Sequence, residues 1–436
     1  MKKIITLTSI ISSAFFASHA MAADLNEIYQ LSLTNDAELA AAKAKRSSGD
    51  YQVDIARAAL LPQVTLGADK VFSDTETDAG DIDYDTLSFN ATISQTLFNL
   101  NSWYTYQAAS ASGSVSDLEY MLSEQQLILR SAEAYFNVLR AKENLETAQA
   151  EEKAVKRQLE QTQQRFEVGL IAITEVHEAE ASYDLSYANL IGQEAALDIS
   201  YEALEQITGQ RFENLAHLRS DVEFSTPKKA VGEWVEAGLS KYAGIQLAQE
   251  GVNAAEYTRK AGWSNYAPVI NAQWSYTDGE QVVGSNVVGS NVVDGTTTSL
   301  ALTATIPLFA GGSNYAKAKQ AAARSTEASA NLDLQQRTVK NNIRSLYRKV
   351  QTDVLTVKAR NRATVSSRSA LEATETGYQV GTRNIVEVLN AQRNLFSAQR
   401  DYANARYDYI IDLLNLKFFA GSLAEADIQA LNAWLK

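Results

Sequence analysis

Two distant stretches of the chain share one pattern. Residues 165–170 read RFEVGL and residues 173–176 read ITEV. Residues 378–382 read YQVGT and residues 385–388 read IVEV. Both copies place a Val-Gly pair shortly before an Ile-x-Glu-Val segment, and 212 positions separate the copies. The chain therefore contains a tandem duplication, and its period is far longer than the roughly 20–50 residues of solenoid repeats.

Each Val-Gly pair follows a long segment that lacks glycine and proline. These segments cover residues 114–168 and 313–376 and are rich in Ala, Leu, Glu, Gln, Arg and Lys, which favour helix. At a rise of about 1.5 Å per residue, each helix would run roughly 80–95 Å. Apolar residues recur at steps of three and four, which is typical of coiled coils. The sequence therefore predicts two very long helices.

The turns that follow these helices are predicted at about 166–174 and 378–384. Helices commonly end at glycines such as those in the two Val-Gly pairs. Thr174 and Asn384 have side chains suited to N-cap the returning helices. Each half of the chain is thus predicted to form a long helical hairpin with the repeated motif at its tip. Shorter helices, at about 24–60 and 230–262, precede the strands described next.

Four segments alternate apolar with small polar residues. They cover residues 61–72, 85–98, 267–278 and 297–309. This alternation matches membrane-barrel strands, which are apolar toward lipid and polar toward the lumen. A water-soluble antiparallel sheet packed on the helices would give the same pattern. After the N-terminal segment, the sequence contains no apolar run of about 18 residues, so any membrane-spanning part must consist of strands.

Four strands are too few to close a membrane barrel, which needs about eight or more. An open edge in lipid would leave backbone groups unpaired. Two chains would supply eight strands, and three would supply twelve and leave room for a channel. The strand count therefore requires an oligomer. Residues 73–85 and 277–296 are predicted to be polar hairpin loops, and the second contains the segment GSNVV twice.

Residues 1–22 have the features of a secretory signal peptide: two lysines, a short apolar run and an Ala-Met-Ala cleavage site. The polar connector around Pro227 divides the rest into a first structural repeat at 23–226 and a second at 227–436. The protein is therefore predicted to be exported.

Composition excludes several classes of function. The chain has no cysteine, so it has no disulfide, thiolate metal site or cysteine nucleophile. Its net charge of −13 argues against binding to nucleic acid, whose phosphates need basic patches. It lacks a phosphate-binding glycine loop and the serine-nucleophile elbow. The sequence predicts neither an enzyme nor a cofactor, and His177 does not by itself predict a metal site.

The whole mature chain resembles the TolC family of outer-membrane channel-tunnels. No single motif carries the resemblance, but the order of seven motifs over about 400 residues is specific. These motifs are LPQ at 61–63, AYFNVL at 134–139, QQRFEVGL at 163–170, AIT at 172–174, GYQVGTR at 377–383, ANARY at 403–407 and LLN at 413–415.

The resemblance implies an α+β membrane protein of the Gram-negative outer membrane. Each protomer would contribute four strands to a 12-stranded transmembrane β-barrel in a homotrimer, and its antiparallel coiled coils would form a helical tunnel in the periplasm. The implied function is a passive, gated exit duct for drugs, other small molecules and proteins, in tripartite efflux pumps and type I secretion systems. Its partners would be a periplasmic adaptor (membrane fusion) protein and an inner-membrane pump of the RND or ABC type.

The resemblance also assigns roles to residues at the hairpin tips. The family's closing links match pairs of Arg383 with Thr174 and of Tyr378 with Glu175. The tips that dock the adaptor match the two Val-Gly motifs. These motifs comprise Val168, Gly169, Leu170, Val380, Gly381 and Thr382.

The family's tunnel entrance carries two acidic rings. One ring maps to Glu387, and the other maps to Asn390, which is neutral in this chain. Three Glu387 carboxylates around an axis would favour cations over anions, but the neutral position weakens that preference.

Two other interpretations fit parts of the sequence. A soluble periplasmic coiled-coil adaptor also has helical hairpins, but four strands patterned for lipid and lumen in two copies argue against it. A stand-alone porin has such strands, but it needs no long helices.

Overall fold

The computed structural model describes residues 22–77, 80–283 and 291–436. Except for Ala22, the predicted signal peptide lies outside the described residues. So does the first copy of the GSNVV segment, with the start of the second.

The order of secondary-structure elements in the first half of the chain recurs in the second half. Each half has two short helices, a β-hairpin and a long helical hairpin, and the second half adds a C-terminal helix. The elements are α1 (Leu25–Asn35), α2 (Ala37–Ala58), β1 (Gln63–Thr77), β2 (Gly80–Asn99), α3 (Leu100–Glu167), α4 (Ile173–Thr208), α5 (Val231–Lys241), α6 (Ala243–Ser264), β3 (Val269–Val283), β4 (Asn291–Thr305), α7 (Ser313–Gln379), α8 (Ile385–Phe419) and α9 (Glu425–Asn432).

The strands form one antiparallel sheet in the order β1-β2-β3-β4. Ser94 of β2 lies opposite Gln63 of β1 on one side and opposite Gln273 of β3 on the other. Gln273 in turn lies opposite Ala301 of β4. The two hairpins therefore join through β2 and β3, and the outer edges of β1 and β4 have no partner strand within the described part of the chain.

The strand limits differ from the sequence prediction in two ways. The strands continue into segments predicted as loops, to Thr77 and Gly80 in the first hairpin and to Val283 and Asn291 in the second. Polar composition was misleading there, because the hydrogen bonds of an antiparallel ladder are made by the backbone and do not require apolar side chains. β4 instead ends at Thr305, before the predicted limit at 309, since proline at position 307 cannot donate to a ladder.

The long helices are longer than predicted. α3 has 68 residues and α7 has 67, so each runs about 100 Å. α3 begins at Leu100, where Asn99 caps it by accepting a hydrogen bond from the Ser102 amide at 3.1 Å. Gly113 therefore lies inside the helix, where its lack of a Cβ admits Val53 of α2; an added Cβ would lie 2.8 Å from Val53 Cγ2. Among the described residues, no helix is both long and apolar enough to cross a bilayer.

The shorter helical segments are each divided in two. Asp36 separates α1 from α2, and its carboxylate accepts a hydrogen bond from the Leu39 amide at 2.6 Å. Tyr242 separates α5 from α6 with an extended backbone. At each break, one residue has backbone angles outside the helical range. Hydrophobic periodicity does not reveal such a residue, because the apolar pattern continues across it.

The main core lies where α3 and α8 meet the connector between the two halves and the C-terminal segment. Tyr135 is fully buried and donates to the carbonyl of Ala216 at 2.8 Å. Tyr407 is also fully buried and donates to the Glu143 carboxylate at 2.8 Å. A second, smaller apolar cluster lies far along the hairpins, and it holds the two tips together. Its buried members are Val155, Ala179, Ile385, Val388 and Leu389.

Candidate functional site

The first hairpin tip is closed by a Schellman turn. Beyond Val168, Gly169 adopts a left-handed conformation with φ of 77°. Its amide donates to the Phe166 carbonyl at 2.8 Å, and the Leu170 amide donates to the Arg165 carbonyl at 2.9 Å. Glycine suits this position because a Cβ disfavours positive φ. Val168 and Leu170 are 70% and 73% exposed, so the turn presents apolar side chains to solvent.

The second tip has the same geometry. Gly381 has φ of 80°, and its amide donates to the Tyr378 carbonyl at 3.1 Å. The Thr382 amide donates to the Gly377 carbonyl at 2.9 Å. Val380 is 70% exposed, the same value as its counterpart in the first tip. The structure thus places all six predicted docking residues on two equivalent, solvent-facing turns.

The two returning helices begin differently. Asn384 is the N-cap of α8, and its side chain accepts a hydrogen bond from the Glu387 amide at 3.0 Å, as predicted. The prediction that Thr174 caps α4 is wrong, because Ala172 holds the N-cap position without a side-chain hydrogen bond. The backbone turns two residues earlier than expected, and Thr174 lies within the first turn of α4.

Arg383 lies just before Asn384, the N-cap of α8, and forms an ion pair with Glu387 in the first turn of that helix. Among the described residues, no hydrogen bond joins Arg383 to Thr174 within a single chain. The exposed Asn390 follows on the same helix. The charge of the predicted entrance carboxylate is therefore already compensated inside its own chain.

Tyr378 is held from the opposite hairpin by an arginine. The guanidinium carbon of Arg165 lies 4.7 Å from the centroid of the Tyr378 ring, which is a cation–π arrangement. The ring packs against the apolar cluster near the tips. The Tyr378 hydroxyl is buried and, within the described residues, has no hydrogen-bond partner. The half-buried Glu175 is not hydrogen-bonded to it, so the predicted Tyr378–Glu175 link is not formed in the isolated chain.

A polar cavity of about 920 Å³ lies between the two hairpins just above the tips. Gln392 lines it, is only 5% exposed, and donates to the Glu375 carboxylate at 3.4 Å. Its Oε1 atom is buried and has no partner among the described residues. Gln392 and Arg165 are not among the site residues predicted from the sequence. The sequence feature that could have indicated them is a polar residue interrupting the apolar seam of a coiled coil.

The described residues contain no cluster of His, Asp or Glu side chains suited to a metal ion. The hydrogen bond between His177 and Glu180, at 3.1 Å, is exposed and lies on one helix. The chemistry available at the tips is therefore hydrogen bonding, ion pairing and apolar contact.

The family to which the chain is similar also matches it in two halves. The family model for outer membrane efflux proteins matches residues 28–210 and 238–422. The outer membrane protein TolC of Vibrio cholerae is 35% identical over 437 residues, which cover 100% of this chain and 99% of the relative. The alkaline protease secretion protein AprF of Pseudomonas aeruginosa is 28% identical over 426 residues, which cover 95% of this chain and 88% of the relative.

Solved structures show the same fold. The CmeC outer membrane channel of Campylobacter jejuni superposes with a TM-score of 0.80 at 17% identity, covering 94% of this chain and 90% of that chain. Long paired helices, a four-stranded antiparallel sheet and a family match over most of the sequence agree with one another. The chain therefore belongs to the outer membrane efflux protein family and is a protein of the outer membrane.

Proposed function

We propose that the protein is the outer-membrane exit duct of tripartite efflux pumps and type I secretion systems. Its apolar sheet face carries this proposal. Leu66, Leu300 and Leu302 are 82%, 78% and 71% exposed, and no described element of the chain covers them. A lipid environment accounts for an apolar face of this kind on strands whose opposite face is small and polar.

The open sheet edges support a homotrimer. The outer edges of β1 and β4 cannot remain unpaired in lipid, because each unsatisfied backbone group costs several kcal/mol there. Three copies joined edge to edge would form a 12-stranded barrel that leaves a wet lumen. Residues 23–226 and 227–436 would contribute equivalent repeats to it after removal of the signal peptide 1–22.

The tips would form the periplasmic gate and the adaptor-docking surface. Their exposed apolar turns suit contacts with an adaptor, which in turn would link the duct to an RND or ABC pump. Arg383 and Tyr378 of one hairpin would meet Thr174 and Glu175, respectively, of a neighbouring hairpin in the assembled trimer. Opening would separate these hairpins, which is a conformational change rather than a chemical step. The proposal therefore assigns the protein no catalytic role.

A matched pair of variants tests the membrane-facing sheet. Leu302→Lys places a charge on the apolar face, and Thr303→Lys places the same charge one residue away on the opposite face. A lipid-facing lysine costs about 2–4 kcal/mol at the bilayer midplane, whereas a lumen-facing lysine is tolerated. We expect Leu302→Lys to reduce the heat-resistant trimer in outer-membrane fractions and Thr303→Lys to leave it unchanged. Equal behaviour of both variants would contradict the proposed orientation.

Conductance in planar bilayers tests the gate. The double variant Arg383→Ser with Tyr378→Phe removes the charged and hydroxyl groups assigned to closure. We expect higher single-channel conductance than in the wild type, because closed hairpins would lose those contacts. Unchanged conductance in a correctly assembled trimer would contradict the gate assignment without affecting the assignment of the barrel.

A further inference from the structure

Two aspartates face each other across the α7–α8 hairpin. Asp353 lies one helical turn along α7 from Lys349, and Lys349 binds Asp412 of α8, so the two aspartates lie in the same part of the contact between these helices. Asp412 is only 5% exposed, and Lys349 donates to its Oδ1 atom at 2.9 Å. The Oδ2 atoms of both aspartates are buried, and no donor reaches either atom within the described part of the chain.

Two ionised carboxylates cannot satisfy one another, because each is only an acceptor. A buried acceptor without a donor is unfavourable by about 1–3 kcal/mol, and more when it is charged. One proton on either carboxyl removes both problems, since it supplies the missing donor and halves the negative charge of the pair. Carboxylates that share a site behave in this way elsewhere in proteins.

The surrounding charges do not remove the need for that proton. Lys349 supplies one positive charge from α7. Asp408 of α8 is engaged by Arg140 of α3 at 2.8 Å. Glu133 of α3 accepts from Asn415 at 3.1 Å and adds a further acidic group. Both aspartates ionised would therefore leave an excess of negative charge between the helices.

The ionisation of the pair follows from this setting. Burial, reinforced by the hydrogen bond to Asp412 and by its charge, raises the pKa of Asp353 to about 7, and Lys349 opposes the shift. Burial also raises the pKa of Glu133, while its hydrogen bond with Asn415 acts in the other direction. The contact between α7 and α8 therefore includes a carboxyl group, that of Asp353, whose neutral form is favoured.

We propose that one proton shared by Asp353 and Asp412 fastens α7 to α8, and that its loss above neutral pH weakens the contact between these helices. This is a pH-sensitive link built into the second hairpin. This link is inferred from the contact between α7 and α8 and does not depend on the proposed transport function. The tip of that hairpin lies 26 residues beyond Asp353, or about 40 Å along α7.

The shared proton makes the folded state less stable as pH rises. Asp353 has an ordinary pKa of 3.8, and the folded value is about 7. Between these values the folded chain holds a proton that the unfolded chain has lost. The stabilisation of the folded state by this proton is complete below pH 3.8 and disappears as pH rises through about 7. Across that window, one proton makes the unfolding equilibrium constant rise about tenfold per pH unit.

Asp353→Asn provides the test in the full-length purified protein. The amide has the shape of the carboxyl and gives Asp412 a permanent donor. We expect the thermal unfolding midpoint of the wild type to fall, relative to that of Asp353→Asn, as pH rises from 5 to 8. Asp333→Asn is the matched control, because Asp333 is an exposed aspartate on the same helix, paired with Arg337. It should retain the pH dependence of the wild type.

Infrared spectroscopy gives a readout that does not require the variant to be stable. The wild type at pH 6 should show the carbonyl stretch of a buried protonated carboxyl group, which disappears as pH passes neutrality and is missing in Asp353→Asn. Absence of that band from the wild type would overturn the proposal. So would an Asp353→Asn variant whose midpoint depends on pH as strongly as that of the wild type.

Discussion

Arg165 of the first hairpin stacks on Tyr378 of the second, with 4.7 Å between the guanidinium carbon and the ring centroid. This contact joins the two tips within one chain, and neither residue needs a neighbouring copy to make it. Because α3 and α7 otherwise run about 100 Å from the sheet, a contact at their far ends limits how widely the tips can separate.

Removing that contact is expected to favour the open state. Arg165→Gln loses an interaction worth about 0.5–1 kcal/mol, so the open fraction should rise roughly two- to fivefold. Single-channel recording in planar bilayers measures this fraction. Arg157→Gln is the control, because Arg157 lines the same cavity but bonds to its own helix at the Lys153 carbonyl. An equal effect of both variants would show that cavity charge, rather than stacking, restrains the tips.

The Arg383–Glu387 pair predicts the ion selectivity of the entrance. Arg383→Gln should leave Glu387 uncompensated and shift permeability toward cations. An exposed pair is worth about 0.5–1 kcal/mol, so the permeability ratio should change roughly two- to fivefold. Reversal potentials under a salt gradient measure it. Adding Glu387→Gln should cancel the shift; a shift that persists in the double variant would exclude Glu387 as its source.

Gly421 is expected to tolerate no side chain. Its φ is 62°, and an added Cβ would lie 2.6 Å from the backbone carbon of Lys241. Gly421→Ala should destabilise the protein by about 2–4 kcal/mol, through positive φ and overpacking together. Gly251→Ala is the control, since a Cβ there meets open space within α6. It should be neutral or stabilising by up to about 1 kcal/mol. Thermal unfolding midpoints compare the two, and a reversed order would contradict the packing described here.

Asp36 has two roles that substitutions can separate. It caps α2 through the Leu39 amide, and it binds Arg130 through both carboxylate oxygens, at 3.0 and 3.2 Å. Asp36→Ala loses both contacts and should destabilise the protein by about 3 kcal/mol. Asp36→Asn keeps the cap and should lose less. Asp54→Ala removes an exposed aspartate of α2 and should change stability by less than about 0.5 kcal/mol. Urea unfolding followed by circular dichroism ranks the three variants; equal losses in Ala and Asn at position 36 would leave the cap without a role.

Most of the architecture could be predicted because its signals are local and repeated. Gly169 and Gly381 mark helix ends, and in both cases positive φ makes glycine the favoured residue. Alternation identified all four strands, since a pleated strand sends successive side chains to opposite faces. Asn384 was recognised as a cap because its side chain can accept the hydrogen bond that the backbone requires.

The remaining features depend on contacts between distant parts of the chain. The glycine-free segment begins after Gly113, yet α3 continues through Gly113, where the approach of α2 leaves no room for a Cβ. Thr174 has the right side chain for a cap, but the turn closes through the backbone at Ala172. The Arg165–Tyr378 contact joins residues more than 200 positions apart, and no local pattern relates them. At such sites, tertiary packing rather than residue type decides the outcome.

The unpaired edges of β1 and β4 also bear on biogenesis. A single chain in the bilayer would expose two rows of backbone donors and acceptors to lipid, at several kcal/mol for each unsatisfied group. Chains cannot therefore enter the membrane one after another as stable intermediates. Assembly has to precede insertion or accompany it, so the yield of inserted protein should depend steeply on the concentration of newly exported chains.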